Sequence, residues 1–112
     1  MGNIIADHKR GTTWDGLSIK CEVLQEDGAT LLPVDLTGVV IVADFKIDKN
    51  SDSYFSFKTA NNTIIVPYPA NGEFLFMPRF IDYYENYYHF TVKLFYPNGT
   101  IEEIISSAWK IY

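Results

Sequence analysis

The sequence contains a single cysteine, Cys21, so no disulfide can form within the chain and the fold must rest on burial and hydrogen bonding. Basic residues are also scarce: 9 Lys and Arg stand against 14 Asp and Glu, for a net charge of −5 and a pI near 4.8. That balance argues against non-specific nucleic-acid binding, which needs a concentrated basic surface to displace counterions from phosphates. It equally disfavours docking to an anionic membrane surface. No apolar run is long enough to span a bilayer. The opening Met1-Gly2-Asn3-Ile4-Ile5-Ala6 lacks the basic, apolar and small-residue sections of a secretory signal, so a soluble protein made in a cytoplasm is expected. A helical apolar period is missing throughout, and only Pro78 to Asn86 has room for a helical turn.

Catalytic constellations are missing as well. His8 lies in the polar N-terminal stretch and His89 on the polar parity of a strand, and spacing pairs neither with a nucleophile or carboxylate. No Gly-rich phosphate loop, His pair or Cys cluster is present. Asp48, Asn50 and Asp52 have the alternate-residue spacing of the first calcium ligands in a helix–loop–helix site. Ser53 stands where such a loop needs Gly and Thr59 where it needs a bidentate Glu, so a solvated polar loop is the better reading. No catalytic residue, cofactor or metal is therefore expected.

What the chain does contain is strand periodicity. Its 112 residues, 47% apolar, suffice for one core, so residues 1–112 are expected to form a single domain, with 1–14 as an N-terminal arm or edge strand. Leu17, Ile19, Cys21 and Val23 alternate with Ser18, Lys20 and Glu22, which places Cys21 in the core as a small apolar residue. After the turn at Glu26-Asp27-Gly28, Leu31-Leu32-Pro33-Val34 leads towards the most apolar strand. There Val39, Ile41, Ala43, Phe45 and Ile47 share one parity, the pattern of a central strand. Short strands are expected at Tyr54 to Lys58, Thr63 to Val66 and Glu73 to Met77, separated by turn formers at Ala60-Asn61-Asn62 and Pro67 to Gly72.

The last third reads as a long aromatic hairpin. Tyr88, Phe90, Val92, Leu94 and Tyr96 fall on one parity, Pro97-Asn98-Gly99-Thr100 supplies the turn, and the chain returns through Ile101, Ile105, Trp109 and Ile111. A bulge near Glu103 would reconcile the shift that puts Ile104 on the other face. About seven or eight strands at roughly ten-residue spacing point to an all-β fold, an antiparallel immunoglobulin-like β-sandwich. Tyr88, two residues before Phe90, falls where such folds place a corner tyrosine.

Aromatics are the excess, at 16% of residues. Tyr83, Tyr84 and Tyr87 crowd around one turn, Phe95 falls on an outward parity, and Trp14 sits in the N-terminal arm. Tyrosine suits a place where an apolar body meets a wet rim, so these five residues are the expected protein-protein interface. Two other readings stay open: rings capping the ends of the sandwich, and a sugar-stacking platform in which Asp82, Glu85 and Asn86 orient hydroxyls beside the tyrosines.

Several motifs recur together in one order: Arg10-Gly11-Thr12-Thr13-Trp14-Asp15-Gly16-Leu17, Val34-Asp35-Leu36-Thr37-Gly38-Val39, Tyr88-His89-Phe90-Thr91-Val92, Tyr96-Pro97-Asn98-Gly99-Thr100 and a late Trp109. In this order the chain resembles small β-sandwich domains of tailed bacteriophages, such as the N-terminal part of baseplate upper proteins. The resemblance covers most of the chain outside Asn50 to Met77. It implies a virion structural protein without a catalytic site, docking to other phage structural proteins. Assembly with copies of itself is expected as well, with the N-terminal arm from Met1 to Trp14 lying along a neighbour's edge strand. The baseplate proteins continue into a helical or fibre-forming region where this sequence ends at Tyr112. The implied place is therefore a tail or baseplate adaptor, or a decoration subunit elsewhere on the virion. The alternative is a module recognising host-surface glycan through its exposed tyrosines.

Overall fold

The structure, a computed structural model, describes residues 5–48, 52 and 54–112. Its main sheet is built from the most apolar stretches: β5 (Val40–Lys46), β6 (Phe55–Lys58), β10 (Asn86–Phe95) and β11 (Ile101–Ile111), in the order β11-β10-β5-β6. β5 is paired on both sides, by β10 and β6, as its apolar parity predicts. Ile41, Ala43 and Phe45 are fully buried, whereas Ile47 of the same parity stands beyond the end of β5 and is exposed. In the β10–β11 hairpin Val92 pairs with Ile105 and Lys93 with Glu103, which leaves Ile104 as the extra residue. This is the bulge that the shift of parity demands. At the turn Tyr96 N–H donates to Thr100 O (2.9 Å), and Gly99 takes a φ of 91° that a side chain would disfavour.

The second sheet is three-stranded, β2 (Leu17–Lys20), β8 (Glu73–Phe76) and β7 (Ile64–Ile65), in the order β2-β8-β7. Two strand pairs complete the fold: β1 (Thr12–Trp14) with β9 (Arg79–Ile81), and β3 (Glu22–Leu24) with β4 (Leu31–Pro33). Every strand pair is antiparallel, and the protein is all-β among the described residues apart from single 3-10 turns at Thr59–Asn61 and Pro69–Asn71. Both turns fall in segments where turn formers cluster. The helical turn allowed for Pro78 to Asn86 is not formed, because Arg79–Ile81 is extended and bonded to the distant Thr12–Trp14. Strands outnumber the expected seven or eight because several are pieces of two to four residues, too short to carry a period of their own.

Side chains from both sheets meet in one aromatic core. Phe57 on β6 and Phe76 on β8 pack edge to face at 5.3 Å, and Trp14 lies 5.5 Å from Phe57, 6.0 Å from Phe76 and 5.1 Å from Trp109. Phe45 stacks on Phe55 at 4.6 Å and on Phe90 at 5.0 Å. Such ring pairs each contribute about 0.5–1.5 kcal/mol beyond the area they bury. No polar or charged residue is buried among the described residues, so the interior carries no desolvated charge that would need a partner. The Tyr88 hydroxyl reaches back to donate to the Tyr84 carbonyl, four residues upstream.

From Ile5 onward the N-terminal segment packs on this core, and its Thr12–Trp14 stretch forms the short strand β1. Ile5 is buried, the Trp109 indole N–H donates to Ala6 O (2.9 Å), and His8 forms a parallel bridge with Ile111. The bridge is held by His8 N–H to Lys110 O (2.9 Å) and Tyr112 N–H to His8 O (3.0 Å). These bonds use the end of β11, so the segment has its edge strand within its own chain.

Candidate interaction surface

The five aromatics singled out from the sequence are not gathered into one surface. Trp14 is 8% exposed and wedged among Phe57, Phe76 and Trp109, so it serves the core and its ring is closed to any partner of the folded chain. Tyr83 is half-buried and stacked on Phe55 with ring centres 4.0 Å apart. Arg79 lies against this pair and the neighbouring Phe57: its guanidinium is 5.8 Å from Phe55, 5.6 Å from Tyr83 and 4.8 Å from Phe57, and it donates to Ser56 O (2.8 Å). Tyr84 and Tyr87 are exposed, at 60% and 56%. Phe95 is half-buried and stands at the opposite end of β10, about 26 Å from Tyr87 at about 3.3 Å per residue.

Beside Tyr84 and Tyr87 two of the polar side chains, Asp82 and Asn86, are already engaged. Asp82 forms an ion pair with Arg10 at 3.1 Å, and Asn86 Oδ1 accepts from the Tyr87 N–H at 2.7 Å. Tyr87 lies 5.5 Å from the Lys110 ammonium, which is also 6.0 Å from Tyr112. Burial within this aromatic group pushes the Tyr88 phenol up to about 12, with the neighbouring Tyr54 adding to the shift.

A stronger feature lies at the other end of the molecule. β3 and β4 form a two-stranded ribbon in which Val23 pairs with Leu32 and Leu24 with Leu31. Because side chains alternate, the first pair faces one side and the second pair the other. All four are between 49% and 56% exposed, so among the described residues neither face of the ribbon is covered. The ribbon is nevertheless well formed. At its tip the Asp27 carboxylate accepts from the N–H groups of Ala29 (2.9 Å) and Thr30 (2.8 Å) and from the Thr30 hydroxyl (2.5 Å), and those bonds lower its pKa to about 2. At its root Cys21 N–H donates to Gly72 O (2.7 Å) and Val34 N–H donates to Cys21 O (2.9 Å).

Beside the root, a cleft of about 460 Å³ opens between β2–β3 and the end of the β10–β11 hairpin. Ile19, Cys21, Val34, Leu94, Ile104 and Ile105 give it an apolar floor, and Lys20, Glu22 and Glu102 stand at its rim. Cys21 is half-buried there instead of fully in the core, because the strand leaves the second sheet at this residue to enter the ribbon. Burial, and then the nearby Glu102 carboxylate, raise the pKa of its thiol. Tyr96 donates to Glu102 Oε2 (3.2 Å) along the same wall.

The sequence carries a signal for this ribbon. Val23-Leu24 and Leu31-Leu32 place apolar residues on both parities on either side of a turn, which in a strand means two faces that need cover. Among the described residues no three His, Cys, Asp or Glu side chains come together as a metal site, and no helix is long and apolar enough to cross a membrane. Asn50 and Ser53 of the calcium-like spacing lie outside the described residues. No protein-family model matches the chain, and no curated protein matches it either.

Proposed function

We propose that this protein is a non-enzymatic structural subunit of a bacteriophage or prophage virion, a tail or baseplate adaptor or a decoration subunit, which works by assembly with other virion proteins. The observation that carries the assembly reading is the two-sided apolar ribbon. A two-stranded ribbon is marginal in water alone, and exposed apolar residues gathered on one projection mark a docking site. The resemblance in the order of the sequence motifs supplies the phage context.

The immunoglobulin-like sandwich belongs to the same reading. Sheets ordered β11-β10-β5-β6 and β2-β8-β7 support it, as does the hydroxyl of Tyr88 bonded upstream from the start of β10. A Leu24→Asp/Leu31→Asp variant tests assembly. Both side chains are about half exposed, so the folded chain should tolerate the change while its incorporation into particles of the encoding phage, measured by mass spectrometry of purified virions, falls away. A chain absent from wild-type particles, or a variant incorporated as well as wild type, would refute the proposal.

The exposure of Tyr84 and Tyr87 favours one second reading, recognition of a host-surface glycan by ring stacking. Binding to one glycan class on an array, abolished by Tyr84→Ala and Tyr87→Ala, would support it, and silence across the array would remove it.

A further inference from the structure

The strand that runs from β2 into β3 has one edge in use and one free. Cys21 directs both its N–H and its C=O inward, to Gly72 and Val34. Backbone alternation then turns the N–H and C=O groups of Ser18, Lys20, Glu22 and Leu24 outward. On that side no strand pairs with β2 or β3 among the described residues. A free edge of about seven residues therefore runs along the mouth of the apolar cleft, with Ile19, Cys21 and Val23 on its inner face. Edges of this kind are templates for another strand, and a lysine on them ordinarily discourages pairing.

Resting on the assembly reading, we propose that this edge docks on the same edge of a second copy of the chain, antiparallel about a two-fold axis at Cys21. The register follows from charge. Centred on Cys21, the pairing sets Lys20 of each copy opposite Glu22 of the other, twice over, and so answers the lysine that would otherwise repel a strand. It sets Ile19 opposite Val23 on the inner face and Ser18 opposite Leu24 on the outer face. Centring on Lys20 would oppose two lysines, and centring on Glu22 two glutamates. A slip by a single residue would turn the apolar parity of one copy against the charged parity of the other. The interface is thus self-complementary in one register, joins the two three-stranded sheets into one, and lays the apolar inner faces side by side across the clefts.

Because Cys21 bonds inward, Cys21 and its counterpart form a non-hydrogen-bonded pair with Cα atoms about 4.5 Å apart, within reach of a disulfide. The test combines solution mass with cross-linking of the full chain. Light scattering should give twice the 12.8 kDa chain mass at high concentration. Oxidation by copper phenanthroline, which takes the two thiol electrons, should link the copies through Cys21, while Cys21→Ser stays dimeric but does not link. In the Cys21→Ser background a mixture of Ile19→Cys and Val23→Cys chains should cross-link, and either alone should not. Lys20→Glu should weaken the dimer about tenfold or more, and Lys20→Glu/Glu22→Lys should restore it.

A monomer at all concentrations, or a dimer indifferent to Lys20→Glu and unlinked by oxidation, would overturn the inference. The outcome separates from that of the wider assembly reading. A monomeric chain found in virions contradicts self-docking alone, and a dimer missing from virions contradicts the virion role alone.

Discussion

Replacing Trp109 by Phe tests whether the N-terminal segment belongs to the fold or is available to a partner. Trp109 is fully buried, 5.1 Å from Trp14 and 5.6 Å from Phe45, and its indole N–H holds Ala6 O at 2.9 Å. Phenylalanine keeps one ring and loses about 40 Å³, which at about 24 cal/mol per Å³ of cavity costs about 1 kcal/mol. The lost hydrogen bond costs about 1 kcal/mol more. With the lost apolar transfer included, the sum is about 2–3 kcal/mol, and at about 4–8 °C per kcal/mol for a domain of this size the melting temperature should fall by about 10–20 °C. Calorimetry measures the fall. Amide exchange should show where it acts, since the His8 and Tyr112 amides bridge the segment to β11 and should lose protection first. A drop of less than about 3 °C, with protection at His8 and Tyr112 unchanged, would mean that the Trp109–Ala6 anchor does not hold the segment and that the reasoning is wrong.

Two further outcomes follow from the geometry. Gly72 has a φ of 70°, and a Cβ there would stand 2.4 Å from Cys21 O and 3.0 Å from Val34 N, so Gly72→Ala should cost about 1–3 kcal/mol in urea unfolding and loosen the ribbon root. A melting curve that overlays wild type would refute that close approach. Tyr88→Phe removes the hydroxyl donated to Tyr84 O and should cost about 1 kcal/mol. In the wild-type chain the folded-state pKa of Tyr88 is raised from 10.0 to about 12, so its contribution is complete below pH 10 and fades as pH rises through about 12. An absorbance titration in which every tyrosine ionises near pH 10 would contradict it.

The sequence made the long elements legible because each carries several turns of a period. β5 declares itself by Ile41, Ala43 and Phe45, and the β10–β11 hairpin by its parity, its Asn-Gly turn and the slip at Ile104. The short strands were harder. β1 and β9 have three residues each and find one another across most of the chain, so neither shows a local pattern, and the burial of Trp14 that depends on this pairing was hidden with them. The tyrosines split for a similar reason: Tyr83 is stacked on Phe55 of β6 beside Arg79 of β9, whereas Tyr84 and Tyr87 have no ring stacked on them among the described residues and remain exposed, Tyr87 with only the Lys110 ammonium near its ring. Cys21 kept its apolar parity but not its full burial, because the strand turns out of the sheet there into the ribbon.

The central claim is that the free edge of β2–β3 is a docking edge, and the most direct measurement is amide hydrogen exchange at Ser18, Lys20, Glu22 and Leu24 across a concentration series. The account predicts fast exchange in dilute solution and protection of these four amides together as concentration rises, reversed by Lys20→Glu. Fast exchange at every concentration would contradict docking between copies, and protection already present in a dilute monomer would contradict the edge being free.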